Sequence, residues 1–318
     1  MSGRVESPVN PEHDEFGLLQ KNAAEWAIPW SGRPAVERRS ITLEGGQVMS
    51  YLAWGRDDPQ IIFLHGGGQN AHTWDTVVLA LGRPALAIDL PGHGHSSWRQ
   101  DRNYGPWANA AAVEQLLSVV APTTSAVVGM SLGGSTAIRL AAMCPELVGK
   151  AVVVDVTPQI NDPSRTFTTQ ERGSVALVGG TPTFDSFEAM AGATIALSPL
   201  RHPSAVRRGV RHNAYELPDG RWRWRYDLFG DRPVSTGNWG DFTPLWWDVE
   251  RVAIPTMFIR GGLSKLVRDE DVNEMRRRLP SLRVEVVDGA GHAVQSDRPL
   301  EMVHLLERFV FSGEETST

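Results

Sequence analysis

The chain is poor in cysteine. Cys144 is the only one among 318 residues, so no intrachain disulfide can form. That fits a reducing compartment, and the cytoplasm is the expected setting. Cys144 closes an apolar helical segment before Pro145, where a small buried hydrophobe is expected. A basic excess is lacking too. Lys and Arg total 31 against 37 Asp and Glu, a net charge of −6, which gives no support to nucleic-acid binding. No apolar run approaches the roughly 20 residues needed to span a bilayer. The first residues carry Glu6, Glu12, Asp14 and Glu15 and no apolar stretch, unlike a secretory signal. Internal repeats and low-complexity tracts are absent.

What is present is an apolar share of 41%, enough over this length for one large domain or a core with an insertion. Residues 1–35 are polar and Pro-containing and read as a loose N-terminal arm. Residues 37–54 read as a hairpin turning at Gly45-Gly46. Six short apolar runs follow: 60–64, 85–90, 125–130, 150–156, 254–260 and 282–287. Helical patterns lie among them at 106–120, 132–143, 270–279 and 299–310. Short continuous apolar strands alternating with helices predict an α/β fold with a mostly parallel sheet covered on both faces. Strand after strand ends in Gly or polar residues, and ligands of such sheets sit beyond the carboxyl ends.

The alternation lapses over 158–247, between core segments 36–157 and 248–318. A loop that long is improbable in a compact domain. The segment reads as an inserted, mainly helical cap with one short strand at 221–227. It holds Trp222, Trp224, Trp239, Trp246 and Trp247, five of the eleven tryptophans, which suit either an apolar pocket or the cap's own core. Arg201, Arg207, Arg208, Arg211, Arg221, Arg223 and Arg225 crowd the same stretch. They suit a solvated face or an anionic substrate.

Gly129-Met130-Ser131-Leu132-Gly133 is G-x-S-x-G between a strand and a helix, the context of a nucleophile elbow. A serine hydroxyl needs a base to take its proton. His292 suits that role, flanked by small residues after the last strand. Among the other histidines, His13 and His304 read as solvated, and His202 and His212 fall in the cap. His93 and His95 form an H-x-H without nearby acidic or Cys ligands, a weak metal signal. The orienting acid is Asp155, at the end of the strand after the elbow helix, or else Asp269 or Asp271. The latter pair also reads as a plain helix N-terminus. An oxyanion needs backbone donors. Leu132 N–H is one, and Gly67, whose peptide N–H can turn toward the substrate, is expected to supply the other, with Gly68 as the alternative. No Lys-Ser/Thr follows Gly66-Gly67-Gly68, so a nucleotide loop is not expected.

His65-Gly66-Gly67, the block from Asp89 to Ser96, the elbow at Ser131 and Gly291-His292 together resemble the α/β-hydrolase superfamily, over about residues 37–311. HGGGQNAHTWD (65–75) with VDVTP (154–158) closely resembles a mycobacterial short-acyl ester hydrolase of that superfamily. The resemblance implies cofactor-free hydrolysis of a small-molecule carboxylic ester. Ser264 stands where many members carry the acid, which favours Asp155, as in dehalogenase-like members. Those use an Asp nucleophile, so Ser131 argues against dehalogenation. A lactonase, thioesterase or C–C bond hydrolase would use the same triad. A slow-turnover binding protein is the reading of another class.

Overall fold

The structure, a computed structural model, describes residues 14–161, 168, 183–227 and 240–312. Its strands in chain order are β1 (Val36–Thr42), β2 (Val48–Trp54), β3 (Ile61–Leu64), β4 (Ala85–Ile88), β5 (Ala126–Met130) and β6 (Ala151–Val154). They continue with β7 (Thr183–Phe184), β8 (Ala214–Glu216), β9 (Trp222–Trp224), β10 (Thr256–Gly261) and β11 (Arg283–Val287). The hairpin β1–β2 turns at Gly45 and Gly46, both at positive φ, which glycine adopts without steric cost.

Eight strands form one sheet in the order β1-β2-β4-β3-β5-β6-β10-β11. The six apolar runs are its parallel strands, and the hairpin adds the antiparallel edge. Because side chains alternate along a strand, each apolar run feeds two cores. Ile62, Leu64, Val127, Val153 and Phe258 face helices Pro106–Val120 and Leu132–Met143. Ile61, Phe63, Val128, Val152 and Ile259 face helices Asp75–Leu81 and Pro299–Leu306. Phe63 meets Trp74 with ring centroids 4.9 Å apart. Burial on both faces is why these strands show no polar alternation.

From β3 the chain runs to β4 on one side, then crosses to β5 on the other. That reversal leaves a crevice beyond the carboxyl ends of β3 and β5, where His65–Gly68 and Ser131 lie.

Two sequence expectations differ from what is seen. The stretch expected as a loose arm includes helix Leu19–Glu25, whose Leu19 and Ala23 are buried against the core. Two apolar residues among polar ones escaped the composition reading. Over 158–247, the described part holds helices Phe187–Ala196 and Pro203–Asn213 and a three-stranded sheet in the order β7-β9-β8. Only β9 was expected. This part has its own small core of Met190, Val206, Val210, Trp224 and Tyr226. It is clipped to the loop after β4, where Gly94 N donates to Arg225 O at 2.8 Å and Asp227 N to Gly92 O at 2.8 Å. His13 and Trp239 lie outside the described residues. Among those described, no helix is long and apolar enough to cross a membrane.

Candidate active site

Ser131 sits at the junction of β5 and helix Leu132–Met143 with φ 51° and ψ −117°. A non-glycine residue pays steric strain there, and such strain marks positions fixed by their surroundings. The flanking glycines explain the fixing. A Cβ on Gly129 would lie 2.1 Å from Gly133 O, and one on Gly133 would lie 2.2 Å from Leu64 O. The elbow is thus wedged against the end of β3. Ser131 N also donates to Val154 O at 3.1 Å, tying the turn to β6.

At the end of β6, Asp155 is the second strained residue of the sheet edge, with φ 50°. It is fully buried. Its Oδ1 accepts from Gly261 N at 3.0 Å. Its Oδ2 accepts from Ser264 Oγ at 2.5 Å and lies 2.8 Å from His292 Nδ1. A buried carboxylate needs such donors to keep its charge. His292 Nε2 is buried and has no partner among the described residues. With Nδ1–H given to Asp155, Nε2 carries the free lone pair of the neutral ring.

The two rival carboxylates are engaged elsewhere. Asp269 is exposed and pairs with Arg260. Asp271 accepts from Arg268 N at 2.9 Å and caps its own helix. Ser264, read in the sequence only as a missing acid, is a donor to Asp155. The signal for it was the Gly261-Gly262-Leu263-Ser264 turn at the end of β10.

The loop after β3 is braced by two buried histidines. His65 Nδ1 donates to Gly66 O at 2.8 Å, and its Nε2 accepts from Leu90 N at 2.9 Å. His93 Nδ1 donates to Pro91 O at 2.9 Å, and its Nε2 accepts from Gly68 N at 3.1 Å. Burial, reinforced by His65, pushes the His93 imidazole down to about 3, so it stays neutral. Both of its ring nitrogens are used, which argues against the H-x-H pair as metal ligands. The Gly68 N–H is consumed by His93. The Gly67 N–H has no acceptor among the described residues. Leu132 N–H opens a helix, where intrahelical acceptors are lacking. Gly66 is close enough to the elbow that a Cβ there would lie 3.3 Å from Ser131 Cβ.

A cavity of 160 Å³ adjoins the loop, lined by Gly67, Gly68, Trp224, Tyr226, Arg201 and Gln295 among others. Trp224, which stacks on Tyr226 at 5.8 Å, belongs both to the inserted core and to this cavity wall. Trp246 packs on the main core, and Trp247 is exposed. Much of the arginine run is neutralised. Arg207 pairs with Glu188, Arg208 with Glu25, Arg221 with Asp219 and Arg201 with Asp297.

Comparison with known proteins agrees with this architecture. Residues 61–305 match the alpha/beta hydrolase family. Esterase Rv0045c of Mycobacterium tuberculosis is 48% identical over 294 residues, covering 92% of this chain and 94% of that protein. The sn-1-specific diacylglycerol lipase ABHD11 of Mus musculus is 28% identical, covering 79% and 81%. A solved structure of the M. tuberculosis esterase, from work on its transition metal inhibition and structural refinement, superposes with a TM-score of 0.80. It is 47% identical and covers 93% of this chain and 98% of that one.

Proposed function

Since the chain belongs to the alpha/beta hydrolase family, we propose that it is a serine-dependent carboxylic ester hydrolase acting through an acyl-enzyme, on small or short-acyl esters. Ser131 Oγ attacks the ester carbonyl while His292 Nε2 takes its proton. The N–H groups of Gly67 and Leu132 hold the developing oxyanion. His292 then protonates the leaving alcohol, the acyl group stays on Ser131, and water deprotonated by the same imidazole releases the acid. Asp155 keeps the proton on Nδ1 and stabilises the imidazolium. Segment 158–247 serves as the cap that shapes the acyl site.

The observation that carries this reading is the His292 ring. Its Nδ1 is fixed on Asp155 at 2.8 Å, while its buried Nε2 has no partner among the described residues. The named esterase relative supports the ester as substrate, and the inhibition by transition metals described for it extends to this chain in the same reading. The test is hydrolysis of 4-nitrophenyl acetate and butyrate by wild type and Ser131→Ala. The variant should keep its folded circular dichroism spectrum and lose nearly all turnover; turnover at the parental rate overturns the assignment.

A further inference from the structure

The loop that carries His292 is held at one peptide, Gly291, by three separate elements, and one of them is the inserted segment. The first is the core sheet. A Cβ on Gly261 would lie 2.0 Å from Gly291 O, so the loop rests on the bare end of β10. The second is the short helix Val294–Asp297, whose Asp297 accepts from Gly291 N through Oδ2 at 2.8 Å. The third is the turn between helices Phe187–Ala196 and Pro203–Asn213, which holds Leu200 and Arg201. Arg201 Nε lies 3.2 Å from the other Asp297 oxygen, Oδ1. We propose that Arg201 is a positioning residue for the base: through Asp297 it fixes the peptide that leads into His292.

Three observations carry this. The path is short, running from guanidinium to carboxylate to the Gly291 N–H, and His292 is the next residue. Both Asp297 oxygens take part in it. Second, the inserted segment reaches the same peptide by packing. A Cβ on Gly291 would lie 3.1 Å from Asp297 Oδ2 and 3.1 Å from Leu200 Cδ1, so only a bare glycine lets both approach. Third, the ion pair is withdrawn from water. Burial pushes the Asp297 carboxyl up, and the Arg201 charge is the largest influence opposing it. Burial pushes Arg201 down, with Asp297 opposing in turn. Removing one partner of such a pair leaves an uncompensated buried charge, so Arg201 keeps Asp297 a charged acceptor for the loop.

This division of labour differs from that of Asp155. Asp155 holds the imidazole ring through Nδ1, whereas the Arg201–Asp297 pair holds the backbone that carries the ring. A ring anchored only at Nδ1 still moves with its loop, and a displacement of about 1 Å costs up to about a hundredfold in rate. The effect on turnover rests on the ester-hydrolase reading, whereas the clamp on the loop does not.

The experiment is hydrogen–deuterium exchange of the full chain, read by mass spectrometry on peptides that contain the Gly291 amide, with 4-nitrophenyl butyrate kinetics alongside. Wild type is compared with Asp297→Asn, Arg201→Met and Arg201→Lys. Asp297→Asn and Arg201→Met should speed exchange at Gly291 by about tenfold or more. Both should lower kcat by roughly ten- to a hundredfold while KM stays within about twofold. Arg201→Lys keeps the cation and should restore most of the protection and most of kcat. Folding of each variant is checked by its own thermal unfolding transition, and Arg201→Gln stands in if Arg201→Met does not fold. Wild-type exchange in folded Arg201→Met, or equal losses in Arg201→Lys and Arg201→Met, overturns the proposal. So does a rise in KM at constant kcat, which would make Arg201, a residue of the cavity wall, a substrate contact instead. Absence of turnover in wild type would count against the ester-hydrolase reading, and the exchange result would still decide the clamp.

Discussion

Ser264 donates its hydroxyl proton to Asp155 over 2.5 Å. The residue at the commoner acid position thus holds the carboxylate that the proposed triad takes from another strand. Losing a hydrogen bond to a charged group costs about 1.5–3 kcal/mol. Ser264→Ala should therefore lower kcat by roughly ten- to a hundredfold, with KM little changed. Steady-state kinetics on an aryl ester reads this, and an unchanged kcat would show that the Ser264 bond does not position Asp155.

Asp155→Asn tests the carboxylate itself. It keeps the shape but removes the charge and offers the wrong tautomer to His292, which costs on the order of 10⁴-fold in kcat in the best-studied serine triad. Asp269→Asn should leave kcat unchanged, because that side chain is exposed and paired with Arg260. Asp271→Ala should cost about 1 kcal/mol of stability as a lost helix cap, with activity kept. A larger kcat loss from Asp269→Asn than from Asp155→Asn would move the acid to the later helix.

Gly129 and Gly133 set the elbow by close approach. With 2.1 Å from an added Cβ to Gly133 O, Gly129→Ala forces backbone to move. Its thermal unfolding midpoint should fall well below that of Gly192→Ala, where an added Cβ meets nothing within 4 Å. Equal midpoints would mean that the turn is looser than its packing implies.

Acid sensitivity should begin above the carboxylate range. His93 and His95 are held down to about 3 and about 4 by burial, with His65 and Arg38 as the next contributors respectively. Each is neutral in the fold and protonated in the unfolded chain between those values and its ordinary 6.5. The unfolded state then binds more protons, so stability falls as pH drops from about 6.5, by up to about 1.4 kcal/mol per pH unit per histidine. Unfolding midpoints from pH 7.5 to 4 check this, and His93→Gln should flatten the slope. A profile level down to pH 4.5 would contradict the neutral brace.

Much of this was legible in the sequence. The six parallel strands, the hairpin and the helices after Ser131 and before His292 stood out because burial on both faces makes continuous apolar runs. Ser131 and His292 stood out as candidates because the fold gathers the ends of its strands, which close in glycine, at one edge of the sheet. Asp155 was one of several candidates, since proximity between β6 and β10 is a property of strand order. The inserted sheet was only one-third legible, as Thr183–Phe184 and Ala214–Glu216 are too short to show a period and form by distant pairing with β9. Gly67 was already preferred to Gly68 in the sequence, and the hydrogen bond from Gly68 N to His93, 25 residues away, is a further reason that the sequence could not supply.

The most direct test of the central claim is labelling by a fluorophosphonate probe, with the modified peptide identified by mass spectrometry. An activated Ser131 should carry the label stoichiometrically, and His292→Ala should label far more slowly. No label on Ser131 in folded wild type, or equal labelling in His292→Ala, would contradict the assignment of nucleophile and base.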